Sequence, residues 1–376
     1  MILLSVYILL IIINFKFSKS KIIFLIDFLF MWVLMGWNHS VADYRLYYIR
    51  YTNPEIYGTL EPLYVTFQNI GKMVGFDYSS FQIVMTFIFL CIRMIAIRTL
   101  STRPNFVVSL YLLFPFIMDI TQLRLFYATS IILLGIVYLL KRKKIDNIIF
   151  VLFVILATMI HSACICYLLL LIPINIENFN IKGYLRIIIL MCLILFIMLF
   201  SGSLYELACI ISSFLGFGTK FVETVFAAGQ AYKATNKIVY MLIIFLFFFV
   251  FNLIFKKACK RYKLLENENQ VTFKTIAKNK ELVDICYKIN YTLLIILPFA
   301  WFTGDIYRIQ HGVLILFYSA FSDMEFFKGK NTGAITIYQA YVTVFIVLYV
   351  FLFLVGLSSL RESVFLPVFY DNILFG

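Results

Sequence analysis

The residues of this chain that could take part in chemistry are few, and most stand at the ends of apolar runs. Arg124 and Arg308 open two such runs, and a guanidinium group presents paired N–H donors that match phosphate oxygens. Three other side chains could act as a general base toward a hydroxyl group, namely Asp43, Glu61 and His161. The residues alone leave open which of the three would do so.

A second group of side chains that could bind a substrate lies in a polar stretch, residues 38–64, of an otherwise apolar chain. This stretch contains two of the candidate bases and the six tyrosines Tyr44, Tyr47, Tyr48, Tyr51, Tyr57 and Tyr64. Tyrosine rings could stack on sugar faces or cover a lipid chain. Tyrosine is also the ordinary anchor residue of a membrane–water interface, so both interpretations stay open.

The elements that must hold these side chains are membrane-spanning helices. Of the 376 residues, 63% are hydrophobic and 14% are charged, and the mean hydropathy is +0.97. A soluble domain is nearer half apolar and a quarter charged. Because helices satisfy their own backbone in lipid, we predict an all-α, polytopic integral membrane protein with about twelve transmembrane helices.

The net charge of +13 does not indicate a nucleic-acid-binding protein. Lysine and arginine gather in short runs between apolar segments, and such runs mark the cytoplasmic loops of membrane proteins. The seven cysteines form no spacing typical of a metal site. We therefore expect no metal and no cofactor.

The basic residues also predict where the loops lie. We predict one multi-pass membrane domain over residues 1–376. Within it, residues 38–78 form an outer loop with an interfacial or re-entrant segment, and residues 203–236 form another outer loop. Residues 256–280 form a basic cytoplasmic loop.

Three details of this topology depend on single positions. Arg93 is interpreted as a marker of the inner end of a span at about residues 79–97, and residues 119–124 as a tight outer turn. Residues 147–173 are too long for one untilted crossing and are interrupted at His161. We predict a hairpin of two short spans with His161 at its outer end, because this arrangement keeps the basic loop inside.

Several short motifs occur in an order that resembles the EpsG family of bacterial exopolysaccharide proteins, a family similar to Wzy-type polysaccharide polymerases. The motifs are Asp43-Tyr44 after the second span, EPLY at 61–64, Gly75 with an aromatic-Asp-Tyr at 76–78, QLRLFYA at 122–128 and ATMIHSA at 157–163. The similar order covers about residues 1–175, and Arg308 opens a later span. Leu125 stands where the family usually has glutamine, so that position is not carried over.

The resemblance implies a glycosyltransferase of GT-C-like architecture in the bacterial cytoplasmic membrane, with its active face outside. Such a polymerase joins polyprenyl-diphosphate-linked oligosaccharide units into an O-antigen, a capsule or an exopolysaccharide. The candidate catalytic residues are then Asp43, Glu61 and His161. The candidate diphosphate and saccharide ligands are Arg124, Arg308, Gln122, Tyr44, Tyr47 and Tyr64.

The same resemblance implies the partners of the protein. They are a lipid-linked donor, a lipid-linked acceptor, membrane lipid and a chain-length regulator protein. Our hypothesis is that arginine, without a divalent ion, stabilises the charge of the leaving diphosphate.

Two alternatives remain at this point, a flippase or exporter of lipid-linked saccharide and a membrane acyltransferase that modifies it. A transporter should carry charges deep in many spans, whereas only Asp27 looks deep in this chain. An acyltransferase should present a group of polar residues on its cytoplasmic side, and the predicted cytoplasmic side of this chain carries only basic loops. Both observations favour chemistry on the outer face.

Overall fold

The computed structural model describes residues 2–54, 61–141, 143–175 and 181–214, and parts of 282–296, 308–323 and 340–374. The structure is 84% helical, and the described residues contain no β-strand, which confirms the all-α prediction. The number of transmembrane helices and the GT-C-like architecture stay predictions.

The chain divides into two compact units. The first contains Met1–Leu168, Lys260–Val283 and Gly312–Gly376, and the second contains Leu169–Cys259 and Asp284–His311. The single membrane domain over residues 1–376 stays a prediction.

The helices follow the chain from its start. The first nine are α1 (Ile2–Lys16), α2 (Lys21–Gly36), α3 (Tyr44–Thr52), α4 (Pro62–Met73), α5 (Tyr78–Leu100), α6 (Pro104–Leu113), α7 (Phe116–Thr121), α8 (Leu123–Leu139) and α9 (Lys144–Thr158). A 3₁₀ helix, Ser162–Leu170, leads into α10 (Leu171–Asn175), α11 (Ile181–Phe200) and α12 (Ser203–Phe214). The later described elements are a 3₁₀ turn (Leu293–Ile296), α13 (Arg308–His311), α14 (Leu314–Asp323), a π-helical turn (Arg361–Phe365) and α15 (Leu366–Tyr370).

Helix α5 is the one described helix that is both long and apolar enough to cross a bilayer by itself. Shorter apolar helices are Ile2–Lys16, Pro104–Leu113, Leu123–Leu139, Ser162–Asn175 and Arg186–Leu195. The predicted outer loop at residues 38–78 is itself structured, because it contains α3 and α4.

The first unit is built around α8, which packs against α5 and α9, while α2 packs against α5 and α1 against α6. A close approach of α8 and α9 requires glycine at position 135. A Cβ atom added there would lie 2.8 Å from the Cβ of Phe153, which is inside van der Waals contact. Small residues of this kind allow apolar helices to approach closely in a membrane.

The interpretation of Arg93 as an inner-end marker is wrong. Its side chain is 3% exposed and its guanidinium is ion-paired with Asp119, which lies in α7. Arg93 also donates from Nη1 to the hydroxyl oxygen of Tyr111 at 2.8 Å and from Nε to Ser130 Oγ at 3.1 Å. A buried guanidinium is tolerated only when its donors are satisfied, and these acceptors come from other helices, so the local sequence does not reveal them.

The predicted interruption at His161 is confirmed as a break between two helices. Helix α9 ends at Thr158, and the 3₁₀ helix begins at Ser162. Among the described helices, however, α9 packs closely against α8 and not against the segment that begins at Ser162. Side-by-side packing, which a hairpin of two short spans implies, is therefore not found here.

Some predicted features lie outside the described residues. These are Tyr57, most of the outer loop at 203–236 and the basic loop at 256–280. The described start of the 203–236 segment is helical, because α12 covers Ser203–Phe214.

The described core of the second unit is small. Helix α11 packs against the Leu293–Ile296 turn and against α12. The hydroxyl groups of Tyr184 and Thr292 lie 2.5 Å apart, and Cys192 Sγ donates to the backbone oxygen of Leu294 at 3.3 Å.

Candidate functional site

Helix α3 is held to the start of α5 by tyrosines on one of its faces. Tyr47 and Tyr51 are four residues apart, which places them on the same side of a helix, and both are buried. The Tyr51 hydroxyl donates to the backbone oxygen of Phe76 at 2.8 Å, and its ring lies 5.2 Å from that of Phe81, centroid to centroid. Helix α3 within the polar stretch is therefore held in place, and Tyr47 has a defined position.

The start of α4 is attached to the end of α9. The backbone N–H groups of Leu63 and Tyr64 donate to the backbone oxygen of Met159, at 3.0 and 3.3 Å. Proline suits the first helical position because it lacks an N–H group, and Pro62 occupies it. Glu61 immediately precedes this start, so its position relative to α9 is set by the backbone.

Glu61 and Arg124 form an ion pair across 63 positions of sequence. Glu61 Oε2 accepts from Arg124 Nη1 at 2.6 Å, and Glu61 Oε1 accepts from the backbone N–H of Ser162 at 3.1 Å. The side chains are 18% and 14% exposed, respectively. Three helix starts that are far apart in sequence therefore meet at this carboxylate.

The pKa of Glu61 is lowered from its ordinary value. Burial alone would raise the pKa, but the Arg124 guanidinium and the Ser162 N–H outweigh it, and the nearby His161 acts in the same direction. Glu61 is therefore a carboxylate at neutral pH. While Arg124 remains its partner, this carboxylate is a weak base.

Two of the predicted tyrosines surround Arg124 instead of facing solvent. The centre of its guanidinium lies 5.9 Å from the ring centroid of Tyr47 and 5.6 Å from that of Tyr64. Both rings are buried, and Tyr64 is 1% exposed. Cation–π contacts of this length hold an arginine in position. Saccharide stacking by these two tyrosines stays a prediction.

Tyr44 belongs to a different cluster. Its ring stacks on the imidazole of His39 with centroids 4.6 Å apart, and its hydroxyl lies 3.3 Å from Ser79 Oγ. Burial lowers the pKa of His39, while the nearby Asp77 opposes this effect. His39 was not among the predicted site residues. Its position in the polar stretch, five residues before Tyr44, could have indicated it.

The other predicted site residues have less specific positions. Asp43 precedes α3 without a side-chain hydrogen bond to the start of that helix. Gln122 is buried in the one-residue link between α7 and α8. Arg308 is the first residue of α13, which belongs to the second unit.

Arg50 is a residue of this site that the sequence analysis did not select. It lies three residues after Tyr47 on α3, half-buried, within electrostatic range of Arg124, Glu61 and Tyr64. Burial and the Arg124 charge both lower the pKa of Arg50. The spacing of three residues from Tyr47 could have indicated Arg50. It places the two side chains on the same side only if Tyr44–Thr52 is a helix.

Among the described residues, no three His, Cys, Asp or Glu side chains come together as a metal site would require. The site consists of the Glu61 carboxylate and the Arg124 guanidinium at the starts of α4 and α8, with Arg50 in the last turn of α3. These features define a helical membrane protein with a polar site at the ends of its helices.

The comparison with protein families identifies the kind of membrane protein. The chain belongs to the EpsG family, which matches residues 21–367, nearly the whole chain. EpsG is a family of Wzy-type polysaccharide polymerases, so the predicted resemblance is confirmed and the protein acts in polysaccharide biosynthesis. No curated protein and no solved structure matches the chain.

Proposed function

We propose that this protein joins polyprenyl-diphosphate-linked oligosaccharide units into a surface polysaccharide on the outer face of the bacterial cytoplasmic membrane. The observation that carries the proposal is the Glu61–Arg124 pair, in which a carboxylate and a guanidinium lie 2.6 Å apart beside His161. A base for a sugar hydroxyl and a cation for a diphosphate are thereby within one site.

In this reaction a hydroxyl oxygen of the incoming unit attacks the anomeric carbon of the growing chain. The bond from that carbon to the carrier diphosphate breaks, and its electron pair leaves with the diphosphate. Arg124 stabilises the charge of the leaving group. The hydroxyl proton goes to a base, for which Glu61 and His161 are the candidates nearest to Arg124, with Asp43 as the third. Arg308 stays a proposed diphosphate ligand.

The test is the length of the polysaccharide made by cells that carry Arg124→Ala or His161→Ala. Both variants should insert normally and leave single repeat units on the surface without long chains. The matched control is Arg45→Ala, an exposed arginine of α3, which should give chains of normal length. Normal chain length in both site variants would contradict the site assignment.

The same cells distinguish a polymerase from an exporter. Loss of an exporter would leave lipid-linked units on the cytoplasmic face, whereas loss of a polymerase leaves them outside. The proposed orientation is tested with His161→Cys and Gln270→Cys, because a membrane-impermeant thiol reagent should label only the former. Labelling of position 270 from outside would contradict this orientation.

A further inference from the structure

In the part of the chain that the structure describes, the site around Arg124 contains more positive than negative charge. Among the described residues, Arg50 and Arg124 both lie within electrostatic range of one carboxylate, that of Glu61, and Arg124 also contacts the rings of Tyr47 and Tyr64. His161 lies within electrostatic range of the same carboxylate. Two buried or half-buried guanidinium groups with one counter-ion form a cluster that favours an additional anion.

Unused hydrogen-bond donors point in the same direction. Within the described part of the chain, the buried Nε atoms of Arg50 and Arg124 have no acceptor. Arg93 is the informative contrast, because its Nε donates to Ser130 and both of its other nitrogens donate to oxygen atoms. The buried Arg93 therefore has an acceptor for each of its three nitrogens, whereas Arg50 and Arg124 each keep a buried Nε without one.

We propose that Arg50 and Arg124 form a two-arginine anion site in which Glu61 is the resting counter-ion, and that the diphosphate of the lipid-linked substrate replaces Glu61 there. The inference rests on the proposed function for the identity of the anion. It adds Arg50 as a diphosphate ligand and assigns to Glu61 a second position, away from Arg124. Diphosphate oxygens match the paired donors of a guanidinium, so they complete the hydrogen bonding that one carboxylate leaves incomplete.

The exchange of anions links substrate binding to the strength of the base. With Arg124 as its partner, Glu61 is held as a weak base. Once the diphosphate occupies the arginines, Glu61 loses this partner, and its proton affinity rises. Glu61 then accepts the hydroxyl proton of the incoming unit as the new C–O bond forms and the bond to the diphosphate breaks.

The experiment measures binding of inorganic pyrophosphate to the purified full chain in detergent. Arg50→Gln should weaken binding about tenfold, because a charge-assisted hydrogen-bond donor is lost. Glu61→Gln should bind several-fold more tightly than the wild type, because the competing internal anion is gone, and should still make no long chains in cells. Arg45→Gln on the same helix should bind as the wild type does.

Three results would overturn this inference without touching the proposed function. They are unchanged binding in Arg50→Gln, equal or weaker binding in Glu61→Gln, and no pyrophosphate binding by a wild type that polymerises. Arg50→Lys guards against a folding defect, since it keeps the charge and should retain most of the affinity. Failure of the proposed function itself would instead appear as normal chains in the Arg124→Ala cells.

Discussion

The guanidinium of Arg93 and the carboxylate of Asp119 form an ion pair that is almost completely enclosed by the first unit, with side-chain exposures of 3% and 10%. Tyr111 from α6 donates its hydroxyl to the same carboxylate at 2.7 Å. The pair therefore joins α5 to α6 and α7. Because each charge is surrounded by specific partners, this cluster specifies how these helices pack.

We expect Asp119→Ala to destabilise the protein by about 3–5 kcal/mol, because it leaves the Arg93 charge buried without its counter-ion. The measurement is the thermal unfolding midpoint of the purified protein in detergent. Arg98→Ala is the matched control, since Arg98 lies on the same helix as Arg93 but is exposed. Equal midpoints for Asp119→Ala and Arg98→Ala would show that the ion pair does not hold the helices together.

The Glu61–Arg124 pair should make the free energy of unfolding depend on pH in the acid range. The folded-state pKa of Glu61 lies below its ordinary value of 4.5, so the pair contributes full stability above that value and loses it as the pH falls through the folded pKa. Glu61→Gln cannot titrate, so its unfolding midpoint should fall less than that of the wild type between pH 7 and about pH 3. Parallel curves for the two proteins would contradict this account.

Gly71 should tolerate no larger residue. A Cβ atom at this position of α4 would lie 2.8 Å from Cδ2 of Phe81 and 3.2 Å from the hydroxyl of Tyr51. We expect Gly71→Ala to cost about 1–3 kcal/mol by overpacking. Chain length in cells should also fall, because α4 carries Glu61 at its start.

The control for Gly71→Ala is Met73→Ala, since Met73 lies on the same helix and is 87% exposed. Unfolding midpoints of the two variants are compared in detergent. If Gly71→Ala unfolds at the same temperature as Met73→Ala, then α4 does not depend on this close contact.

The sequence predicted the parts of the fold that depend on local pattern. Apolar runs predicted where helices such as α5 and α8 lie, and the polar interruption at His161 predicted a break. The motifs with Glu61, Arg124 and His161 also predicted residues that the structure brings together. This information came from the order of the EpsG-like motifs, because nothing near Glu61 in sequence indicates a partner 63 residues away.

The sequence did not predict the roles of residues whose neighbours come from distant segments. Arg93 was interpreted as a topology marker from its place near the end of an apolar run. Its acceptors lie on α6, α7 and α8, so the sequence around Arg93 does not show them. Arg50 was not among the predicted site residues, and only the helical form of Tyr44–Thr52 brings it within electrostatic range of Arg124. In both cases packing decided the role of the arginine.

The break after Thr158 has a consequence for how the two motifs EPLY and MIHS depend on each other. In an unbroken helix the Met159 oxygen and the Ser162 N–H would be used within that helix. Here the oxygen receives the first free amides of α4, and the N–H holds Glu61. The start of α4 is thus attached to the end of α9 by two backbone hydrogen bonds, and Glu61 accepts from the Ser162 N–H through Oε1 while Oε2 pairs with Arg124. A substitution that continues the helix through residue 161 would take both backbone groups into that helix and leave Glu61 with Arg124 as its partner.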